Sequence, residues 1–154
     1  MAGLPVRSYS VSAIVLRKSA VSHEILLLQR NHTLVGTWCQ VAGKIEPDET
    51  AWQAALREIQ EETGLIPETL YSADICEQFY EPDLDAVNVV PVFVAIVDET
   101  QEVLLNDEHS AFAWLSMDEA IKRVPFAGQR HVLRHVEQEF ILTAANPWLV
   151  IQKG

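Results

Sequence analysis

The stretch Gly43 to Leu65, GKIEPDETAWQAALREIQEETGL, decides how this 154-residue chain is read. Pro47-Asp48-Glu49 forms a turn, Thr50 is a residue type that caps helix N-termini, and Gly64 is the type found just past a helix end. These signals predict a helix from about Ala51 to Thr63. On it, Glu58, Glu61 and Glu62 stand at i, i+3 and i+4, so all three carboxylates share one face. Each like-charge pair costs a few tenths of a kcal/mol in an isolated helix, and about that order or more in a cleft. A hard divalent cation, which takes carboxylate and phosphate oxygens, removes the penalty. Ala51, Ala54 and Ala55 continue the same arc upstream and predict a small-residue surface open to close approach. Taken alone, E-x-x-E-E also fits a solvated acidic helix end with Arg57 as partner.

The wider pattern separates the two readings. G-x5-E-x7-R-E-U-x-E-E-x-G-U, with U aliphatic, is met by Gly43, Glu49, Arg57, Glu58, Ile59, Glu61, Glu62, Gly64 and Leu65. At average composition such a match arises by chance about once in 10⁹ trials. The stretch resembles the Nudix box of the Nudix hydrolases. That resemblance implies an α/β fold, an α/β/α sandwich with a mixed β-sheet, built as one domain over residues 1–154. It also implies hydrolysis of a diphosphate linkage in a nucleoside diphosphate joined to another group, with water and Mg²⁺ or Mn²⁺.

Carried over by motif position, Glu58 and Glu62 are metal ligands, Glu61 is a further ligand or a base, and the Ala42 carbonyl completes the coordination. Arg57 and Glu49 match the family's internal ion pair, which places Arg57 beside the catalytic set as the group that fixes loop against helix. Most members have Gly-Gly where this chain has Ala42-Gly43, and many have proline at Val41; alanine keeps the carbonyl but narrows the backbone conformations allowed. Glu108, in DEHSAFAWLSMDEA, resembles a glutamate that in several subfamilies binds metal or acts as base; the alternative is an exposed turn carboxylate. His109 reads as a hydrogen-bonding edge residue. Arg30, at the end of LLLQR, is placed to meet substrate phosphates. Trp38 and Phe79, with Tyr80, are aromatics that stack on a base or else belong to the core. His131 and His135 are i,i+4, but Val132 stands where H-E-x-x-H needs glutamate, which excludes that zinc site.

A net charge of −11 and a pI near 4.7 argue against a surface that binds nucleic-acid duplexes, which needs clustered Lys and Arg. They leave room for a small phosphorylated substrate whose charge is offset locally by metal. Cys39 and Cys76 show no metal or redox spacing and read as two buried free thiols. The apolar run Val11 to Leu16 is too short for a signal segment or a membrane span, so the expectation is a cytoplasmic protein without membrane contact.

Along the chain, strands are expected over 8–16 and 24–29 as a hairpin with a long turn. A short strand follows over 37–41, then one over 68–80 bent near Ser72-Ala73, one over 85–97 and one over 108–115. Pro91 marks an edge or a bulge in the fifth of these. Helices are expected over 117–123 and 127–140, the latter with Val132, Leu133, Val136 and Phe140 on one face.

The segments Leu26 to Arg30, Trp38 to Gly43, Glu46 to Ala55, Glu108-His109 and Gly128-Gln129-Arg130 are similar in order to bacterial dihydroneopterin triphosphate and dATP pyrophosphohydrolases. They favour a nucleoside triphosphate-like substrate. EHSAFAWLSMDEAIKRVPF also looks like diadenosine tetraphosphate hydrolases, which keeps diadenosine polyphosphates open, beside ADP-ribose and nucleotide sugars. A non-catalytic Nudix-fold nucleotide sensor is the alternative of another class. Such modules usually lose box carboxylates, and this box retains them all.

Overall fold

The computed structural model describes residues 1–153. In chain order the elements are β1 (Val6–Arg7), β2 (Ser10–Lys18), β3 (His23–Arg30), β4 (Trp38–Cys39), β5 (Val41–Lys44), α1 (Ala51–Thr63), β6 (Thr69–Glu81), β7 (Ala86–Val97), β8 (His109–Leu115), α2 (Met117–Arg123), α3 (Ala127–Val136) and β9 (Val150–Lys153). A π-helical turn, Glu137–Leu142, extends α3. One mixed sheet runs β4-β3-β2-β7-β6-β9, with β5 on β2, β8 on β3 and β1 on β7. β7 pairs in parallel with β1 and β2; the other pairs are antiparallel.

Alternation along β2 builds two cores. Val11, Ala13 and Val15 face α1 and pack with its Ala54, Ala55 and Ile59. Ile14 and Leu16 face the opposite side and meet Met117 and Ala120 of α2 and Val132, Leu133 and Val136 of α3, with Phe140 beyond. Helices thus cover both faces, the α/β/α sandwich that the element order implies. Full burial of Ile59, at 0% exposure, is worth about 1.5–3 kcal/mol to the seating of α1.

The sheet opens at one end, and that opening positions the site. β2 and β3 pair only from Leu16↔Ile25 to Lys18↔His23. Beyond that point β2 takes β5 as partner, over Ser10–Ala13, while β3 takes β4, with β8 running along the other edge of β3. The two halves diverge, with Gln40 between β4 and β5 at the fork.

Several expectations change. The single strand over 37–41 is two strands, because its halves pair with different neighbours. The turn after β2 is tight, closed by the Ser19 N–H donating to the Ser22 carbonyl at 2.7 Å. Pro91 lies in an interior strand, opposite Cys76 where the β6 register shifts, so it marks a bulge and not an edge. On its other side it falls between the residues paired with β1 and those paired with β2. Cys39 is buried and Cys76 exposed, and both are free. Ala54 and Ala55 meet the sheet rather than a ligand, since both are fully buried against it. β1, β9 and the short 3₁₀ turn Pro147–Leu149 are additions.

Candidate active site

Helix α1 is fixed at both ends. Thr50 Oγ1 accepts from the Gln53 N–H at 3.2 Å and Gln53 Oε1 accepts from the Thr50 N–H at 2.9 Å, a reciprocal cap. Gly64 closes it at φ 72°, a left-handed conformation that a side chain disfavours. Between these ends Glu58 lies against the backbone of Gly43, where a Cβ would overlap its carboxyl group. Glycine at 43 leaves room for this close approach, and a side chain there would push the Glu58 carboxyl aside.

Arg57 ties the preceding loop to the helix. Its Nε and one terminal nitrogen donate to Glu49 Oε2 and Oε1 at 2.8 and 2.9 Å, a bidentate pair. It also donates to the Lys44 carbonyl at 2.8 Å, Glu58 Oε1 at 2.8 Å and Glu61 Oε2 at 3.2 Å. These bonds, with one from the Glu46 N–H, hold the Glu49 carboxyl down at about 2. The guanidinium is held well above its ordinary value by Glu49 first and Glu58 next.

Glu62 has the opposite environment. It is 2% exposed, and its Oε2 has no hydrogen-bond partner among the described residues. Burial, with Glu58 and Glu108 adding repulsion, pushes its carboxyl up to about 9. Burial also raises Glu58. His109, at the start of β8, places Nε2 3.6 Å from Glu62 Oε1 and 3.9 Å from Cys39 Sγ. Burial lowers His109, so the ring is the neutral, ligand-competent form at neutral pH, and burial pushes the Cys39 thiol up to about 11, which removes it as a nucleophile.

These groups line an open cleft of about 290 Å³ at the fork of the sheet, with Arg30, Ala42, Glu62, Glu108 and His109 in its wall. Donor atoms of Glu62, Glu108 and His109 come within 4.8 Å of one another. A buried, orphaned carboxylate oxygen beside two further carboxylates fits a divalent cation, which supplies the missing partner and removes the repulsion.

Among the residues singled out from sequence, Arg30, Ala42, Glu62 and Glu108 line this cleft, and Glu58 lies behind it, against Gly43 and Arg57, near enough to repel Glu62. Arg30 stands at the mouth, donating through Nε to the Thr33 carbonyl at 2.8 Å and through its terminal nitrogen to Thr33 Oγ1. Glu61 is 55% exposed and turned toward Arg57 rather than into the cleft. Trp38 packs on the α2/α3 core under the Arg123 guanidinium, 5.1 Å from the ring centroid, and Phe79 is half exposed on β6; neither lines the cleft. His109 opens β8, an edge strand paired only with β3, but its ring is buried beside Glu62 and Cys39 where β8 meets Arg30 across a bulge.

Gln40 had no signal of its own. It donates to Ser12 Oγ at 2.9 Å and accepts from Gln129 Nε2 at 3.1 Å, a buried chain that reaches α3. The Gly128-Gln129-Arg130 segment that contributes to the sequence resemblance delivers that contact.

Residues 6–136 match the NUDIX domain family. The asymmetrical bis(5'-nucleosyl)-tetraphosphatase of Caenorhabditis elegans is 32% identical over 123 residues, covering 79% of this chain and 88% of that protein. The solved binary complex of a C. elegans Ap4A hydrolase superposes with a TM-score of 0.73 at 28% identity, over 84% of this chain and 94% of that one. The E. coli dihydroneopterin triphosphate pyrophosphohydrolase shares the fold, with a TM-score of 0.69 at 23% identity over 91% and 99% of the two chains. The intact box, the acidic cleft and these relatives agree: the chain belongs to the Nudix domain family, and it is a hydrolase of phosphoanhydride bonds.

Proposed function

We propose that residues 1–154 act as one Nudix domain that cleaves a dinucleoside polyphosphate, with Mg²⁺ or Mn²⁺ held by Glu58, Glu62 and Glu108. The observation that carries the metal reading is the orphaned Oε2 of Glu62 in a wall of carboxylates. The dinucleoside substrate is supported by the span and identity of the tetraphosphatase relative. The Ala42 carbonyl contributes a further oxygen to the same wall.

A bound divalent cation neutralises phosphate charge and polarises the phosphorus under attack. The chain's own residues do the rest. Gly43 lets Glu58 close on the loop, Arg57 fixes the box through Glu49, and Arg30 meets the outer phosphates at the mouth. Glu108, exposed on the cleft rim, takes the proton of the attacking water; Glu61, held by Arg57, is the weaker base because it faces away. The substrate is small and phosphorylated, and the acidic surface repels a nucleic-acid duplex.

The order of motifs shared with dihydroneopterin triphosphate and dATP pyrophosphohydrolases favours a second reading, a nucleoside triphosphate-like substrate. Diadenosine tetraphosphate, deoxynucleoside triphosphates, dihydroneopterin triphosphate and ADP-ribose, offered at equal concentration with Mg²⁺, separate the two. The expected outcome is the highest kcat/KM for diadenosine tetraphosphate. A clear preference for a triphosphate overturns that choice, and binding of any of them without cleavage turns the chain into a sensor.

A further inference from the structure

A second cavity, of about 360 Å³, lies between β6 and the start of α3. Ile75, Glu77 and Gln78 of the strand and Gly128, His131 and Val132 of the helix line it. Ile75 and Val132 belong to the α2/α3 core and give the cavity an apolar floor. Glu77 is the one acid in the lining. It is half-buried, and burial alone lifts its carboxyl above the ordinary glutamate value, with no cation or backbone N–H among the described residues offsetting the cost. Gly128 makes room for it: a Cβ there would stand 3.1 Å from Glu77 Oε1. Two exposed aromatic rings flank these residues. Phe126, 52% exposed, directly precedes the first turn of α3, and Phe79, 46% exposed, follows Glu77 by two positions and so shares its face of β6. The cavity adjoins the catalytic cleft, because Gly128 is followed by Gln129, whose Nε2 donates to Gln40 Oε1 at 3.1 Å, and Gln40 stands in the cleft wall.

We infer that this cavity seats a base of the substrate, and that Glu77 determines specificity by accepting a hydrogen bond from an exocyclic amino group on the ring. The inference rests on the reading above, in which the catalytic cleft holds the phosphates of a nucleotide-like substrate. An apolar floor, a single unpaired acceptor and neighbouring aromatic surface suit a flat heteroaromatic ring that carries N–H donors. Adenine, guanine, cytosine and a pterin bear an amino group; uracil and hypoxanthine present a carbonyl oxygen where cytosine and adenine have theirs, and a carboxylate repels it. The amino group supplies the partner that the desolvated carboxyl lacks, so a ring without it leaves a buried acceptor unpaired.

Diadenosine tetraphosphate and its purine-riboside counterpart, in which hydrogen replaces each 6-amino group, test this in a cycle with Glu77→Ala. Binding is read by calorimetry with Ca²⁺ in place of Mg²⁺, and kcat and KM are read with Mg²⁺. Wild type is expected to bind the amino compound about tenfold or more tightly, with the difference falling in KM rather than in kcat. Glu77→Ala should bind both compounds alike, at the affinity that wild type has for the deamino compound. A merely structural role would weaken both in proportion and keep the preference. Equal affinity of wild type for the two compounds, or a preference that persists in folded Glu77→Ala, overturns the inference. Glu77→Met, which keeps most of the side-chain volume, supplies the answer if Glu77→Ala does not fold. Cleavage without base discrimination removes this inference and leaves the enzyme reading intact; Glu77-dependent binding without cleavage does the reverse.

Discussion

At the scale of the residue, Glu62 concentrates the argument. Its carboxyl sits near 9 in the folded protein against 4.5 for a free glutamate. A raised folded value means the folded state holds the proton more tightly, so stability from this group is present below the unfolded value and is lost as pH rises toward 9. Metal-free protein is therefore expected to weaken in urea melts between about pH 5 and 8, and Glu62→Gln to flatten that slope. The same variant should keep the fold and lose about 10²–10³ in kcat, because the amide carries no charge for the cation. A steep slope or wild-type turnover in Glu62→Gln would contradict the assignment. Glu108→Gln is expected to lose a comparable rate at unchanged melting temperature; wild-type turnover would return Glu108 to the exposed turn. Arg57→Ala should lower the melting temperature and slow turnover, since it frees Glu49, Glu58 and Glu61 together. An unchanged melting temperature would mean that the pair fixes nothing.

At the scale of the element, α1 was legible in full because its limits are local. Thr50, Gln53 and Gly64 set the caps within a few residues of the helix, and the 3.6 period puts the carboxylates on one face. The fork of the sheet was not. The residues of 37–41 read as one strand because alternation cannot reveal that Cys39 pairs with Leu28 while Val41 pairs with Ala13. For the same reason His109 and Cys39, seventy positions apart, carried no mark of their contact. β9 was missed because four residues, three of them exposed and only Ile151 partly buried, have no amphipathic pattern. Trp38 and Phe79 show the opposite failure: aromatics near a strand end are ambiguous until the strand's facing is known. The loop-to-helix junction makes its own prediction. Gly43→Ala should disturb Glu58 and cut activity by more than its loss of stability explains, because the added carbon occupies the carboxyl's place. Full activity in a folded Gly43→Ala would show that Glu58 does not need that approach.

At the scale of the whole molecule, net charge and site chemistry are one problem. A chain of net charge −11 binds a polyanion only where cations intervene, and the cleft wall holds Glu62 and Glu108 with Arg30 as its fixed positive charge, while Glu58 behind them is already paired with Arg57. No helix of the described residues is long and apolar enough to cross a membrane. Divalent cation should therefore stabilise the fold by mass action, by about 2.7 kcal/mol at a hundredfold excess over Kd. An unmoved melting temperature in millimolar Mg²⁺ would argue against a preformed ion site. The most direct measurement follows ³¹P resonances of diadenosine tetraphosphate mixed with the protein, with Mg²⁺ and then with excess EDTA. The account predicts cleavage of a phosphoanhydride in Mg²⁺ and none once the ion is chelated. Cleavage undiminished by EDTA would contradict it.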